Sequence, residues 1–154
     1  MSLDVGDTAP DFSLAGDTGA IALADFKGRV VVLYFYPKDD TSGCTSEAQA
    51  FTAAAGDLAK AGAVVIGVSK DSVASHAKFR AKYDLAPMLG ADTDGQVVER
   101  YGVWVEKSMY GRRYMGIERA TFLIDRAGAI ARIWRKVKVG GHAAEVLAAV
   151  QALT

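Results

Sequence analysis

Apolar positions run without interruption from Val30 to Phe35 and stop at Pro37, in the stretch RVVVLYFYP. A run of β-branched and aromatic residues with no polar alternation predicts a strand covered on both faces. A second run, AVVIGVS, predicts another buried strand over Ala63–Ser69. Between the two the period changes. Ala48, Phe51, Ala55 and Leu58 recur three or four residues apart, so an amphipathic helix is expected over 46–61, ended by Gly62. Strand, helix, strand in that order is a right-handed crossover joining a parallel pair. The expected core is therefore α/β.

Further along, Asp71 or Ser72 can cap a helix that runs through Tyr83, and Pro87 closes its exit. Residues 96–101 supply another turn or two. RATFLID and AIARIWR flank RAG, which predicts two antiparallel strands joined by a tight turn at Gly128. The last helix is expected over 143–153, with Val146, Leu147, Val150 and Leu153 on one stripe. A hairpin is expected early, around FSLAGDTGAIAL. Residues 88–116 are rich in aromatics but have no clear period, and are read as ordered loop with short strands. Trp104, Tyr110, Tyr114 and Trp134 are expected to pack in the core. RIWRKVKV alternates charge with apolar residues, as a half-exposed strand does. No repeat or linker divides the chain, so 1–154 is expected to be one domain.

Composition narrows the function classes. A chain of 154 residues, 51% apolar, can bury one substantial core. Lysine plus arginine equals aspartate plus glutamate at 18 each, so no global field favours nucleic acid or an anionic membrane. MSLDVGDTAPDFSL has neither the basic start nor the apolar core of a signal peptide, and no run approaches a membrane span, so a cytoplasmic location is expected. The single cysteine, Cys44, excludes an internal disulfide, and one thiol with two separated histidines makes no zinc set. No metal or cofactor is expected.

Cys44 is the candidate for chemistry. Pro37 ends the strand, KDDT turns the chain, and Thr41 is a good helix N-cap whose hydroxyl would accept from the Cys44 amide. Cys44 then falls in the first helical turn, where unpaired amides and the helix dipole favour a thiolate. A free cysteine is more often a small buried hydrophobe, but the strand-to-helix junction and the polar flank with Gly43 favour a reactive thiol. Dithiol exchange of the thioredoxin kind is excluded, since the residue three places on is Glu47. His76 and His142 are expected to be surface helix residues and not bases for the thiol. A thiolate without a base can still attack a peroxide oxygen and become a sulfenic acid.

At these residues the chain resembles a known family. Pro37, Thr41 and Cys44 in PKDDTSGC match the peroxiredoxin pattern. GDTAPDFSL, YFYPKDDTSGCTSEAQAF, YGVWVEKSMYGRRYMGIERATFLID and WRKVKVGGHAAEVL resemble the bacterioferritin comigratory protein, or peroxiredoxin Q, subfamily over nearly the whole chain. The resemblance implies a thioredoxin-like fold: a central mixed sheet with helices on both faces and an N-terminal β-hairpin extension. It implies reduction of hydrogen peroxide and organic hydroperoxides without a bound cofactor. Cys44 would attack the peroxide, Thr41 would hold it, and Pro37 would pack over the pocket and limit water. Arg119, opening RATFLID, would stabilise the thiolate and the departing oxygen, and Glu47 would support Arg119.

Departures from the pattern sharpen this. Relatives place a resolving cysteine five residues after the first or on the following helix, positions that here are Gln49 and Arg80. The resemblance is thus to a single-cysteine member, whose sulfenic acid must be reduced by an outside thiol: thioredoxin, glutaredoxin or a low-molecular-weight thiol. Ser42 replaces the proline common after the threonine, so the helix start is expected to fray more readily, and exposure of Cys44 to the foreign thiol is expected to limit turnover. A monomer is expected, with a dimer as the variant. The competing reading is a peroxide-sensing regulator that passes Cys44 oxidation to a partner; it differs in having no rapid recycling by thiols.

Overall fold

The computed structural model describes residues 3–153. Its strands in chain order are β1 (Ser13–Gly16), β2 (Ile21–Ala22), β3 (Val30–Phe35), β4 (Ala63–Ser69), β5 (Met88–Ala91), β6 (Trp104–Met109), β7 (Arg112–Ile117), β8 (Ala120–Ile124) and β9 (Ile130–Trp134). The α-helices are α1 (Ser42–Ala53), α2 (Ala55–Lys60), α3 (Val73–Tyr83), α4 (Gln96–Arg100) and α5 (His142–Ala152). Seven strands form one mixed sheet in the order β2-β1-β5-β4-β3-β8-β9. As expected, the two apolar runs pair in parallel, with Val30 opposite Ala63 and Phe35 opposite Val68. β8 runs antiparallel on the other side of β3, so all six residues of β3 are buried.

The side chains of β3 point alternately to two cores. Val31, Leu33 and Phe35 face α4 and the N-terminal segment, packing with Val97, Val98 and Tyr101. Val30, Val32 and Tyr34, with Tyr36 just past the strand, face α1, α2, α3 and α5, packing with Phe51, Leu58, Phe79 and Val146. Helices therefore cover both faces, and the early hairpin is the β1–β2 pair that extends the sheet.

Several elements depart from expectation. The helix expected over 46–61 is two helices, the first beginning at Ser42, with the axis broken at Ala54. Residues 53–56 are three alanines and a glycine, which offer little side-chain packing to hold a straight axis, and glycine disfavours a helix interior. β5, inside the segment read as ordered loop with short strands, is one such strand, placed in the interior of the sheet parallel to β4. Its four residues are too few to show a period, and Gly90 leaves room for Leu14, whose Cδ1 would lie 2.9 Å from a Cβ there. β6 and β7 form a separate two-stranded hairpin, so the expected burial of its tyrosines fails: Tyr110 is 97% exposed and Tyr114 is also exposed, while Trp104 and Trp134 are half-buried. The strand expected through RIWRKVKV ends at Trp134. Both histidines expected on the surface are buried. Among the described residues no helix is long and apolar enough to cross a membrane.

Candidate active site

β3 delivers the chain into the turn 37–41, and α1 begins at Ser42 with Cys44 in its first turn. Thr41 has the extended backbone of an N-cap, but its hydroxyl does not accept from the helix. It donates to the carbonyl of Lys38 at 2.8 Å instead. The turn causes this: Asp40 takes a left-handed conformation, φ 57°, curling the chain so that the Lys38 carbonyl lies within reach of the hydroxyl. Aspartate tolerates that conformation better than most residues. Pro37, Thr41 and Ser42 are exposed around the turn, while Cys44 is 1% exposed and packs in the core with Ala48, Phe51 and Tyr34.

Arg119 lies between β7 and β8, just before the strand that pairs with β3, and reaches the cysteine from there. Its Nη2 donates to Cys44 Sγ at 3.3 Å and its Nη1 to Glu47 Oε1 at 2.7 Å. One planar guanidinium thus ties together two residues one helical turn apart, which a single ammonium could not do with the same fixed geometry. Gly43 leaves the room: a Cβ there would stand 3.2 Å from Arg119 Nη2. Sequence reasoning used Gly43 only as a sign of a non-apolar flank, and its adjacency to Cys44 was the available signal.

The electrostatics are those of a buried cluster. Burial pushes the Glu47 carboxyl from its ordinary 4.5 up to about 7, with Arg119 opposing the shift. Glu47 Oε2 is buried with no hydrogen-bond partner among the described residues. Burial works against the charge of Arg119, but Glu47 and Cys44 more than offset it and hold the guanidinium above its usual value. Lys107 of β6 is held below its ordinary value by burial and by the Arg119 charge. The site therefore places one firmly held cation beside a sulfur and a carboxyl.

The remaining expected residues separate. Gln49 is exposed on α1. Arg80 of α3 bonds Asp17 through Nε at 2.5 Å and Nη2 at 3.1 Å, and donates to the carbonyls of Leu85 and Pro87 at 2.5 and 2.7 Å. Neither histidine hydrogen-bonds to Cys44 among the described residues. His142 Nε2 pairs with Thr121 Oγ1 at 2.8 Å, and burial holds its ring below the ordinary value. His76 belongs to a buried polar group around Asp39 that sequence reasoning did not find, because its members lie 37 residues apart.

Comparison with known proteins identifies the family. Residues 5–133 match the AhpC/TSA family. A putative peroxiredoxin bcp of Coxiella burnetii is 54% identical over 148 residues, which are 96% of this chain and 98% of that one. Peroxiredoxin Bcp of Bacillus subtilis is 48% identical over 148 residues, 96% and 94% of the two chains. Among solved structures, the bacterioferritin comigratory protein of Xanthomonas campestris, studied for alkyl peroxide reduction, superposes with a TM-score of 0.89 at 44% identity, covering 97% of this chain and 96% of that one. Peroxidoxin BcpB of Mycobacterium tuberculosis superposes with a TM-score of 0.87 at 32% identity over 99% of both chains. The chain shares the thioredoxin-like peroxiredoxin fold of these two solved structures.

Proposed function

We propose that this chain, which belongs to the AhpC/TSA family and is a thiol-dependent peroxidase of the peroxiredoxin Bcp type, uses Cys44 as its peroxide-reactive thiol. The observation that carries the assignment is the Arg119 guanidinium bridging Cys44 Sγ and Glu47 Oε1. The sulfur, as thiolate, attacks the terminal oxygen of hydrogen peroxide or an organic hydroperoxide. An S–O bond forms as the O–O bond breaks. The other oxygen takes a proton and leaves as water or alcohol, and the sulfur loses two electrons. Arg119 Nη2 stabilises the charge on the sulfur before the step and on the departing oxygen during it. The Thr41 hydroxyl spends its proton on the Lys38 carbonyl, so its lone pairs are left to accept from the peroxide O–H. Pro37, with no backbone N–H, offers water no donor at the rim.

Resolution comes from outside the chain, whose only cysteine is Cys44. A donor thiolate attacks the sulfenic sulfur, a disulfide forms and hydroxide leaves. A second donor thiol releases Cys44, and the donors keep the disulfide. Thioredoxin, glutaredoxin and low-molecular-weight thiols all supply this chemistry, and the chain acts as one domain, a monomer, in the reducing cytoplasm. The test is the rate at which reduced protein forms a sulfenic acid with one equivalent of hydrogen peroxide, trapped with dimedone and weighed intact, beside Arg119→Ala. Wild type should react orders of magnitude faster than a free thiol and the variant should not. Equal rates near that of a free thiol would remove Cys44 from catalysis.

A further inference from the structure

Asp39 lies two residues before Thr41 in the turn that leads into α1, yet it is buried. Its carboxylate is held from three sides. Tyr36 donates its hydroxyl to Oδ1 at 2.6 Å, Ser75 donates to Oδ2 at 2.8 Å, and His76 Nδ1 stands 2.7 Å from Oδ2. His76 Nε2 stands 3.0 Å from the carbonyl of Gly90 on β5. Both ring nitrogens thus face oxygens that can accept, an arrangement that the doubly protonated imidazolium satisfies beside an ionised Asp39. Asp39 and His76 form an ion pair with side chains 4% and 0% exposed. The Asp39 backbone N–H donates to Asp71 Oδ2 at 2.8 Å, and Ser69 donates to the same oxygen at 2.7 Å. The next residue, Asp40, accepts from Lys82 Nζ at 2.8 Å and Tyr83 OH at 2.6 Å.

Ser75, His76, Lys82 and Tyr83 all belong to α3. Two consecutive residues of the active-site turn are therefore fastened to one helix, through groups that do not touch the sulfur. Cys44, at 1% exposure, is closed to any bulky thiol in this arrangement, whereas a peroxide needs a much smaller opening. We propose that Asp39 and His76 are positioning residues that clamp the active-site turn to α3, keeping Cys44 in its Arg119-bonded position for peroxide, and that the clamp must release before an external thiol reaches the oxidised sulfur. This rests on the peroxidase reading of Cys44. Breaking a buried pair leaves a charge uncompensated, so the clamp favours the closed turn, and weakening it shifts the population toward the open one.

The groups facing His76 give the clamp a pH direction. Asp39 from the turn, Asp71 from the β4–α3 connection, the Tyr36 hydroxyl from just after β3 and the Gly90 carbonyl from β5 surround the ring. Burial opposes its charge, but Asp39, the Gly90 carbonyl and Asp71 prevail and hold it above the ordinary value. The clamp therefore persists to a higher pH than an ordinary imidazole would allow and loosens once the pH passes the raised value and the ring loses a proton.

The experiment uses the full chain, Asp39→Asn and Tyr83→Phe, the second at an exposed anchor of Asp40 so that a folded variant is in hand if the first fails to fold. Three rates are read from about pH 6 to 9: oxidation by one equivalent of hydrogen peroxide, reduction of the preformed sulfenic acid by dithiothreitol, and reaction of the reduced thiol with an aromatic disulfide. Asp39→Asn should raise the last two about tenfold over wild type and lower the first, Tyr83→Phe should move each the same way by less, and the ratios should narrow at high pH. Rates unchanged in both variants, or all falling together with Tm, would overturn the clamp while leaving a peroxide-reactive wild type intact. A wild type inert to peroxide would overturn the peroxidase reading, and the clamp's part in it would fall too.

Discussion

Replacing Glu47 with glutamine should make the protein more stable at alkaline pH than at acid pH, relative to wild type. Glu47 is 1% exposed, and burial raises its carboxyl from 4.5 to about 7. The folded chain therefore holds a proton on Glu47 that the unfolded chain gives up above its own lower value. A raised value means that the group's contribution is fully present below about pH 4.5 and is lost as the pH climbs through about 7. At about 1.36 kcal/mol per unit, the total loss is about 3 kcal/mol, of which about 2 kcal/mol falls between pH 5.5 and 8. Glutamine keeps the shape and a carbonyl oxygen for Arg119 Nη1 but cannot ionise. The assay is urea unfolding of both proteins at the two pH values. Taking the variant-minus-wild-type difference at each pH cancels every other titrating group. That difference should become more favourable to the variant by about 2 kcal/mol at the higher pH. A difference independent of pH, or one that changes the other way, would refute the claim that Glu47 is held with a raised value by burial.

Arg119→Lys should slow sulfenic acid formation about a hundredfold, since an ammonium cannot span Cys44 and Glu47 as the guanidinium does; a stopped-flow rate equal to wild type would reject the bridge. The Tyr34 hydroxyl is buried without a partner among the described residues, so Tyr34→Phe should stabilise the fold by about 1 kcal/mol in urea unfolding, and a loss of stability would mean the hydroxyl is satisfied. At Gly67 an added Cβ would lie 2.6 Å from Tyr34 Cζ and 2.7 Å from its hydroxyl, so Gly67→Ala should cost about 1–3 kcal/mol. Phenylalanine at 34 should not rescue it, because the nearest atom is a ring carbon, and full rescue would show that the hydroxyl alone makes the clash.

What could be read from the chain follows the strength of its local signals. β3 and β4 were legible because strands buried on both faces carry unbroken apolar runs, and α3 because Ser72 caps it, accepting from the Ser75 amide as an N-cap does. β5 was not, because four residues including a glycine carry no period, and its place in the sheet is set by its partners β4 and β1. Burial tendency misled for Tyr110 and Tyr114, since a two-stranded hairpin outside the main sheet has no second layer to cover it. At the site, Cys44 was legible from its junction, whereas Arg119, 75 residues away, could be singled out only through the family resemblance. The Asp39–His76 pair was invisible because an aspartate in KDDT reads as turn chemistry and a helix histidine as solvated. Nothing local tells that each satisfies the other.

The same long-range bonds explain how a solitary cysteine suits this fold. The resemblance puts Arg80 at the α3 position where relatives carry a resolving cysteine. Arg80 instead fixes α3 at its C-terminal end, joining Asp17 of the β1–β2 hairpin to the Leu85 and Pro87 carbonyls. A helix so fastened is a poor partner for disulfide exchange but a firm support for Asp39 and Asp40. The motion that an external thiol requires is thereby confined to the turn and the first turn of α1, where Ser42 stands at the first helical position without proline's stiffness. Loosening α3 should therefore act on the same step as loosening the clamp. Arg80→Met, which removes all four bonds while keeping much of the apolar stem, should speed reduction of the Cys44 sulfenic acid by an outside thiol. Unchanged reduction alongside a lowered Tm would show that α3 and the active-site turn move independently.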